Sequence, residues 1–505
     1  MMIKFKSACS NSLLIVALNC ASVVWAESVQ NTEVIPEDNP TQLQSIPLLQ
    51  SLKNLKNERQ FQAPYVHELN NRYKVRTLFV ETKDLPIVDI QLTFNAGAAR
   101  DEEIQKGLFG LSSMAAKLIR EGTDTYTARE IASVFDQSGA QFSAQAYRDM
   151  FVIRLRVMSD PKKLEPALAM MMEVLKHASF KNQSIGLAVS NTNVGQKQLQ
   201  ENPGRLMDIR FYRTLYGQHP YAQPITGTIG GTQKVNPEHL KKFRDQFLVA
   251  QNMNIAVTGK LSPKEALDLS ERIAGNLKQG TRAKSLPDPQ LKNDIEVIHI
   301  SYNSSQAHVM FGHIGPSRFN KDRLALEVAN RIFGGSGFNA VLMQELRIKR
   351  GFTYAAYSTF SFTQAPGVFN FRYSTRQDQL LDSIQVAHQA LINFVNQPIN
   401  TKRLEETKSG MLRAFPNNYS SNATINAQLG TMGFYAEPRD YLATYPERLA
   451  KITAKDVEDA VHKHLHPDRL TVVVVSQALD KDKLKTVLKA NLTNTATTEE
   501  LILTP

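Results

Sequence analysis

The sequence predicts an α+β fold of two homologous domains, in each of which helices pack on one face of an antiparallel sheet. Three observations support this fold class. The chain has 505 residues, of which 42% are hydrophobic, so it can bury more than one sizeable core. Amphipathic strand and helix patterns occur in both halves without the regular alternation that a parallel sheet requires. Matching patterns also recur at a nearly constant distance, which indicates an internal duplication.

The duplication is visible at three separated places. In the first half the strand pattern FVIRLRV precedes a helix pattern, and in the second half VFNFRY does the same. Later in each half, a helix start leads into a further strand. The matched positions, which lie 216, 217 and 217 residues apart, are Arg156 and Arg372, Val235 and Ile452, and Met253 and Leu470. Three nearly equal offsets favour duplication over chance.

The helices that follow the two matched strands have apolar residues at helical spacing, so each has one face for a core. In the first half these residues are Leu164, Leu168, Met171, Met172 and Leu175. In the second half they are Leu380, Ile384, Ala387 and Leu391.

Shifts in composition indicate the domain boundaries. Residues 27–60 are rich in Gln, Asn, Ser and Pro, which is typical of a flexible leader. A second polar stretch with two prolines, residues 280–294, is the best linker between the halves. The expected organisation is a signal peptide (1–26), the leader (27–60), a first domain (61–279), the linker (280–294), a second domain (295–480) and a polar tail (481–505).

The amino terminus has the features of an export signal. Lys4 and Lys6 precede the apolar run Leu13–Leu18, and small residues ending at Ala26 predict cleavage after that position. The expected location is the bacterial periplasm. Cys20 leaves a lipoprotein anchor as an open alternative, although the residues before it match a lipobox poorly.

Removal of the signal peptide changes the chemistry of the chain. Both cysteines, Cys9 and Cys20, leave with it, so the mature chain has no disulfide, thiolate nucleophile or cysteine ligand. The net charge falls from +11 to +9 because Lys4 and Lys6 are lost. The remaining charge forms no long basic run, which argues against nucleic-acid binding. No later apolar run approaches the roughly 20 residues that cross a bilayer, so no stable membrane insertion is expected.

A glycine-rich turn at residues 334–337 (GGSG) leads into a short helix pattern and then a strand. Gly351 ends the helix, and Arg347 and Tyr354 stand seven residues apart across this corner. The stretch resembles the motif of the insulinase/pitrilysin-type zinc peptidases, in which an Arg and a Tyr of the carboxyl-terminal domain reach the active site. The resemblance covers nearly the whole mature chain and includes the duplication and the His-Pro-Tyr sequence at residues 219–221.

The resemblance implies half of a clamshell, inside which an extended peptide binds mainly through its backbone. In the bacterial two-chain members of the family, one chain carries the zinc motif and the other supplies the Arg/Tyr pair. This chain resembles the second type, so Arg347 and Tyr354 are expected to be catalytic in trans. A guanidinium and a phenol can stabilise the negative charge that develops during amide hydrolysis. Gly334, Gly335 and Gly337 are expected to bind substrate.

The first half departs from the family at the zinc motif. Active members have His-x-x-Glu-His, in which two imidazoles bind zinc and the glutamate takes a proton from the bound water. The matching positions here are Ser113, Ala116 and Lys117. The family's third ligand is a glutamate roughly 75–85 residues further on, where residues 181–200 contain no acid and only Glu201 is near. We therefore expect no metal in this chain and a zinc ion in a partner.

No other zinc site replaces this motif in the sequence. His-x-x-Glu-His occurs nowhere in the 505 residues. The only histidine cluster comprises His462, His464 and His466, and Glu458 can share a helical face with two of them. Because Pro467 stops a helix there, cationic side chains at a helix carboxyl end explain this cluster better than a metal does.

The expected function is that of a non-zinc-binding subunit of a heteromeric periplasmic zinc metallopeptidase. Such a subunit is inactive alone and active with a zinc-motif homologue as its partner. The alternative is a non-proteolytic peptide-binding or scaffold protein, because the family also contains such subunits and a fold does not imply an activity. A self-sufficient peptidase with an unusual metal site is a third, less favoured interpretation.

Overall fold

The strands that the structure describes form two sheets. The computed structural model describes residues 62–335 and 337–493, so the expected signal peptide with Cys20, the leader and the end of the expected tail lie outside the described residues. The strands are β1 (His67–Leu69), β2 (Thr77–Glu81), β3 (Ile87–Phe94), β4 (Gln141–Ala146), β5 (Phe151–Met158), β6 (Met253–Gly259), β7 (Glu296–Ser301), β8 (Gln306–Ile314), β9 (Ala356–Ser361), β10 (Val368–Arg376) and β11 (Thr471–Ser476).

The two sheets repeat one strand order. Sheet 1 has the order β1-β2-β6-β3-β5-β4, and sheet 2 has the order β7-β11-β8-β10-β9. In each sheet one pair is parallel, β2 with β6 and β7 with β11, and the other pairs are antiparallel. Apart from the extra edge strand β1, every strand of sheet 1 has a counterpart at the same place in sheet 2. This repeat agrees with the duplication that the sequence indicates, and the α+β fold class is confirmed.

Helices cover both sheets. The α-helices are Asp101–Ile104, Leu111–Leu118, Ala128–Gln137, Pro161–His177, Asn182–Gln200, Pro203–Tyr216, Ile229–Thr232, Pro237–Phe247, Pro263–Asn276, Arg323–Gly334, Leu380–Asn396, Thr401–Ala414, Asn422–Phe434, Tyr445–Ala450, Ala454–His464 and Lys481–Thr493, and Met343–Ile348 forms a π-helical turn. Pro161–His177 and Pro263–Asn276 pack with sheet 1 in one core, and Leu380–Asn396 and Ala454–His464 pack with sheet 2 in another. Among the described residues, no helix is both long enough and apolar enough to cross a bilayer.

The opposite face of each sheet receives a helix from the other half of the chain. Phe211 and Leu215 of helix Pro203–Tyr216 pack on Val473 of sheet 2. In return, Leu429 of helix Asn422–Phe434 packs on Ala256 of sheet 1. The sequence predicts helices on one face only, so the exchange adds a second layer that periodicity does not indicate.

The alternation of side chains along β3 explains why the sequence does not predict this second layer of helices. Ile90 and Leu92 point to the core of the first half, whereas Gln91 and Thr93 point to the other face and are only 3% and 0% exposed. An apolar–polar alternation is typical of a sheet with one solvated face. Here the polar face is buried beneath the exchanged helix Asn422–Phe434, and Gly430 of that helix comes close to Gln91.

The expected linker at residues 280–294 is extended and closely tied to the first half. The amide of Ala283 donates to Asn252 Oδ1 over 2.9 Å, and Arg100 Nη2 donates to the carbonyl of Lys284 over 2.5 Å. His219 Nε2 lies 2.9 Å from the carbonyl oxygen of Pro287. The expected polar tail also differs from a free segment, because it begins with helix Lys481–Thr493, whose apolar side chains join the second core.

Candidate functional site

The helix with the altered zinc motif, Leu111–Leu118, is held at its amino end by a buried carboxylate. Asp101 accepts hydrogen bonds from the amides of Gly110 (2.7 Å) and Ser112 (2.8 Å). Burial raises the pKa of Asp101 to about 7, although these amide donors favour its charged form. Gly110 has a φ of +101°, which glycine adopts without strain. The amino end of this helix is therefore fixed by hydrogen bonds, although Ser113, Ala116 and Lys117 stand where the resemblance expects the ligands and the base.

Lys117 occupies the motif with a charge of the wrong sign for a metal ligand. Its Nζ donates to Thr192 Oγ1 over 2.7 Å, and Thr192 lies on helix Asn182–Gln200. Loss of solvent around the ammonium lowers the pKa of Lys117. Thr192 stands 75 residues after Lys117, within the spacing at which the resemblance expects the third ligand. Thr192 was not predicted from the sequence, because a threonine hydroxyl is not one of the usual protein ligands of zinc.

The other residues of the altered motif add no metal ligand. Ser113 is half-buried, and Ala116 is half-buried with no group that can accept a proton. Glu201, the nearest acid in the sequence, has an exposed side chain beyond the helix, and its carbonyl accepts a 2.5 Å hydrogen bond from Tyr302. In the part of the chain that the structure describes, no group of three His, Cys, Asp or Glu side chains is arranged to hold a metal ion.

The histidine cluster near the end of the chain is divided among separate contacts. His464 Nε2 lies 2.8 Å from Asp322 Oδ2. His466 donates its amide to His313 Nε2 over 3.2 Å, and Glu458 accepts the amide of Ile399 over 2.8 Å. Each of these contacts ties one structural element to another, which agrees with a structural interpretation of the cluster.

The glycine-rich turn is built for close packing and a sharp change of direction. A Cβ added to Gly334 would lie 2.5 Å from Ser358 Oγ and 2.6 Å from its amide nitrogen, so only glycine fits against β9. Gly337 has a φ of +138°, and a Cβ added there would have no neighbour within 4 Å among the described residues, so its backbone conformation alone favours glycine. Gly334 and Gly335 also line a cavity of about 480 Å³ next to Tyr357. Their expected role in substrate binding stays a prediction.

Arg347 is oriented by two contacts within the Arg/Tyr corner. Its Nη1 donates to the carbonyl of Tyr354 over 2.7 Å, and its guanidinium carbon lies 4.8 Å from the centre of the Phe338 ring. Gly351, with a φ of +64°, closes the turn by donating its amide to the carbonyl of Arg347 over 2.9 Å. Phe338 was not identified from the sequence, because an aromatic residue after a glycine turn has no distinctive spacing.

Tyr354 presents its phenol to solvent. The side chain is 84% exposed, whereas Ala356, two residues later in β9, is fully buried. The backbone is therefore anchored while the phenol remains available to a second molecule. Arg347 and Tyr354 are in contact, but no hydrogen bond or ion pair between described residues joins either of them to Ser113, Ala116 or Lys117.

The His-Pro-Tyr stretch belongs to a buried junction between the two halves. Tyr221 donates its hydroxyl to Asp149 Oδ1 and accepts the amide of Ala365 over 3.2 Å. Asp149, only 2% exposed, also accepts the amide of Gln364 over 2.9 Å. Burial raises the pKa of Asp149. Asp149 was missed from the sequence because its partners lie 72 and 215 residues away.

The fold and the altered motif define a peptidase-type α+β protein whose own metal position lacks ligands. Residues 76–229 match the model described as "Insulinase (Peptidase family M16)", and residues 234–411 match the one described as "Peptidase M16 inactive domain". A solved structure of a peptidase M16 inactive domain from Pseudomonas fluorescens is 30% identical, with a TM-score of 0.77 over 82% of this chain and 99% of that one. The chain belongs to the insulinase (peptidase M16) family.

Curated relatives carry two kinds of description. An "Uncharacterized zinc protease" of Rickettsia felis is 25% identical over 76% of this chain and 92% of its own length. A "Non-peptidase homolog YmxG" of Helicobacter pylori is 22% identical over 83% of this chain and 95% of its own length. This chain is therefore similar to proteins described as proteases and to one described as having no peptidase activity.

Two further solved structures share the fold. The periplasmic protease PqqL from Escherichia coli is 14% identical, with a TM-score of 0.69 over 83% of this chain and 46% of that one. A chain of Complex III2 from Candida albicans is 13% identical, with a TM-score of 0.67 over 84% of this chain and all of that one. At these identities the likeness concerns the fold alone.

Proposed function

We propose that the chain is the non-zinc-binding subunit of a heteromeric insulinase-type zinc metallopeptidase of the bacterial periplasm. It supplies Arg347 and Tyr354 to a zinc site in a partner chain, and it is inactive alone. The observation that carries this proposal is the 84% exposure of Tyr354 beside a guanidinium already oriented by the Tyr354 carbonyl and the Phe338 ring.

The chemistry of the two side chains suits an oxyanion. Amide hydrolysis places negative charge on the former carbonyl oxygen, and a phenol or guanidinium that donates to this oxygen lowers the barrier. A zinc ion in the partner would activate the attacking water. The Arg347 guanidinium can hold a peptide carbonyl through two N–H groups, while the Tyr354 hydroxyl donates one hydrogen bond. Neither side chain needs to exchange a proton.

The altered motif of this chain does not fit zinc. The Lys117 ammonium repels a cation, Ala116 cannot act as a base, and a serine such as Ser113 is a weak ligand compared with imidazole. Instead, the Lys117 ammonium donates a hydrogen bond to Thr192 of the neighbouring helix. The proposal therefore assigns the zinc ion to a partner chain and the Arg/Tyr pair to this one.

The export signal that the sequence predicts supports the periplasmic part of the proposal. This prediction rests on Lys4 and Lys6, the apolar run and the small residues up to Ala26. The periplasmic protease PqqL of Escherichia coli, which shares the fold, agrees with it.

A scaffold or peptide-binding protein without proteolytic activity is the second candidate function. The similarity to the Helicobacter pylori protein described as a non-peptidase homolog favours it. In that case Tyr354 and Arg347 contact a bound peptide without supporting hydrolysis.

The test mixes the full chain with a purified zinc-motif homologue and follows cleavage of a quenched fluorescent peptide. We expect activity only in the mixture, and a loss of about 10²–10³-fold in kcat for Arg347→Ala and for Tyr354→Phe. Arg413→Ala, an exposed arginine that contacts Ser409 of its own helix, and Tyr126→Phe are matched controls that should retain full activity. Complex formation is followed separately by gel filtration. A complex that forms but cleaves equally well with all four variants would favour the scaffold.

A further inference from the structure

A cavity of about 680 Å³ lies behind the Arg/Tyr corner and belongs to neither of the sites described above. Its walls come from the π-helical turn Met343–Ile348, from helix Leu380–Asn396 and from the start of helix Thr401–Ala414. Volumes of 300–1,000 Å³ are typical of sites for small molecules. The cavity is therefore large enough for a ligand the size of a substituted sugar.

The charged groups of this cavity leave an excess of positive charge. Glu345 is already paired with Lys349 at 2.7 Å and with Arg350 at 2.8 Å. On the opposite wall, Lys402 and Arg403 face only one further carboxylate, that of Glu406. With four cations and two carboxylates, the lining has a surplus of two positive charges.

Lys402 and Arg403 stand where cations destabilise a helix. They lie in the first turn of helix Thr401–Ala414, at the end where the helix dipole is already positive. Desolvation also lowers the pKa of Arg403. Arg403 is partly compensated by its hydrogen bond to the carbonyl of Asn339 and by the nearby carboxylate of Glu406, and positions that break a local rule are typical of functional sites. A bound anion would offset the remaining positive charge of Lys402 and Arg403.

The rest of the lining is rich in side-chain amides above an apolar wall. Gln389, Asn393 and Gln397 lie along one side, and Val386 and Phe394 form part of the wall. Gln389 donates to Asn393 Oδ1 over 2.9 Å, which leaves the remaining amide groups available for hydroxyls. Because an amide both donates and accepts, a row of them suits a ligand with several hydroxyl groups.

We propose that this cavity binds a sugar that carries a phosphate or a carboxylate. The anionic group pairs with Arg403 and Lys402, and the hydroxyls bond to Asn393 and Gln397. An arginine fork suits both kinds of oxyanion.

A ligand in the cavity would affect the Arg/Tyr corner through two hydrogen bonds. Arg403 Nη2 donates to the carbonyl of Asn339, and Gln344 Nε2 donates to the carbonyl of Phe338 over 2.7 Å. Both side chains line the cavity, and the Phe338 ring is the one on which Arg347 stacks. A ligand anion that takes Arg403 away from Asn339 loosens this turn. Only the consequence of this step for peptide cleavage rests on the proposed function.

The binding test is calorimetric titration of the full chain with glucose 6-phosphate, glucuronate, glucose and inorganic phosphate. We expect saturable binding of glucose 6-phosphate or glucuronate, and binding at least about tenfold weaker, or 1.4 kcal/mol, for glucose and for phosphate. Arg403→Gln and Lys402→Gln should each weaken binding at least tenfold, and Arg413→Gln on the same helix should not. Lys402 is exposed, so its variant is expected to fold normally.

Three results would overturn the proposal: no saturable binding of either anionic sugar at millimolar concentration, phosphate binding as tight as glucose 6-phosphate, or equal affinity in Lys402→Gln and the unchanged chain. Hydrogen exchange of residues 337–341 tests the coupling. We expect faster exchange with the anionic sugar bound, and unchanged exchange on saturation would refute the link to Phe338. Neither measurement uses a partner chain, so failure here is distinct from failure of the peptidase proposal.

Discussion

The ammonium of Lys117 lies 2.7 Å from the hydroxyl of Thr192, so a hydrogen bond joins the two helices on which the family resemblance expects zinc ligands. The two residues keep the sequence separation that the resemblance expects between zinc ligands, but a cation and a neutral hydroxyl stand in place of those ligands.

Restoring three ligands and the general base should create a zinc site. In the variant Ser113→His, Ala116→Glu, Lys117→His and Thr192→Glu we expect about one zinc per chain, because two imidazoles and a carboxylate are the usual protein ligands of catalytic zinc. The unchanged chain is expected to bind none. Metal content of the purified protein after dialysis against a weak chelator measures the outcome.

A triple variant that keeps Thr192 is the matched control. With one ligand fewer, it should lose its zinc at a lower chelator concentration than the quadruple variant. If both variants hold zinc equally tightly, Thr192 does not occupy the third ligand position.

Acid should destabilise the second half through a buried histidine. His388 is fully buried, its Nε2 lies 2.9 Å from the carbonyl oxygen of Pro467, and its Nδ1 has no partner among the described residues. Burial lowers the pKa of His388 to about 4. In the unfolded chain His388 has an ordinary pKa near 6.5, so as the pH falls it takes up a proton there before it does so in the folded chain. The folded state therefore keeps its full stability above about pH 6.5 and loses part of it as the pH falls towards 4.

Between these two pH values, the titration of His388 should lower the unfolding free energy of the protein by about 3 kcal/mol, at 1.36 kcal/mol per pH unit. Urea unfolding at a series of pH values measures it. His388→Gln should flatten the pH dependence, and His462→Gln, at an exposed position, should leave it unchanged. An identical pH slope in the unchanged chain and in His388→Gln would contradict the assignment.

The buried junction of Asp149 and Tyr221 should contribute strongly to stability. Tyr221→Phe removes a hydroxyl that donates to Asp149 and accepts from Ala365, so two buried groups lose a partner. We expect a loss of about 1–3 kcal/mol in unfolding free energy, measured by urea unfolding. Tyr126→Phe is the control and should change stability by less than about 0.5 kcal/mol, because that side chain lies at the surface.

Gly430 should be required for the exchanged helix to approach sheet 1. A Cβ at this position would overlap the Gln91 side-chain nitrogen and lie 2.7 Å from its Cδ. Gly430→Ala should therefore cost about 1–3 kcal/mol through overpacking. Gly410→Ala, at a helical glycine with no atom within 4 Å of an added Cβ, should instead gain up to about 1 kcal/mol. Equal unfolding free energies for the two variants would argue against tight packing of the exchanged helix.

Several features of the fold and site were predictable from the sequence pattern. The near-constant offset of the two halves depends only on spacing, and the repeated strand order agrees with it. The contact between Arg347 and Tyr354 is also local, because seven residues separate them across one turn. The apolar positions of helix Pro161–His177 likewise face the core, as their periodicity indicates.

The sequence by itself determined the class of fold, the duplication and the absence of zinc-ligand residue types at Ser113, Ala116 and Lys117, because each follows from residue identity and spacing along the chain. Only the tertiary structure decided that each sheet is covered by a helix of the other half, that Lys117 meets Thr192, and that Asp149 joins the halves. These contacts connect residues that lie between 72 positions apart, as for Asp149 and Tyr221, and 430 − 91 = 339 positions apart, as for Gln91 and Gly430. The packing of whole layers of helices and strands brings these residues together, and no local sequence pattern indicates which residues will meet.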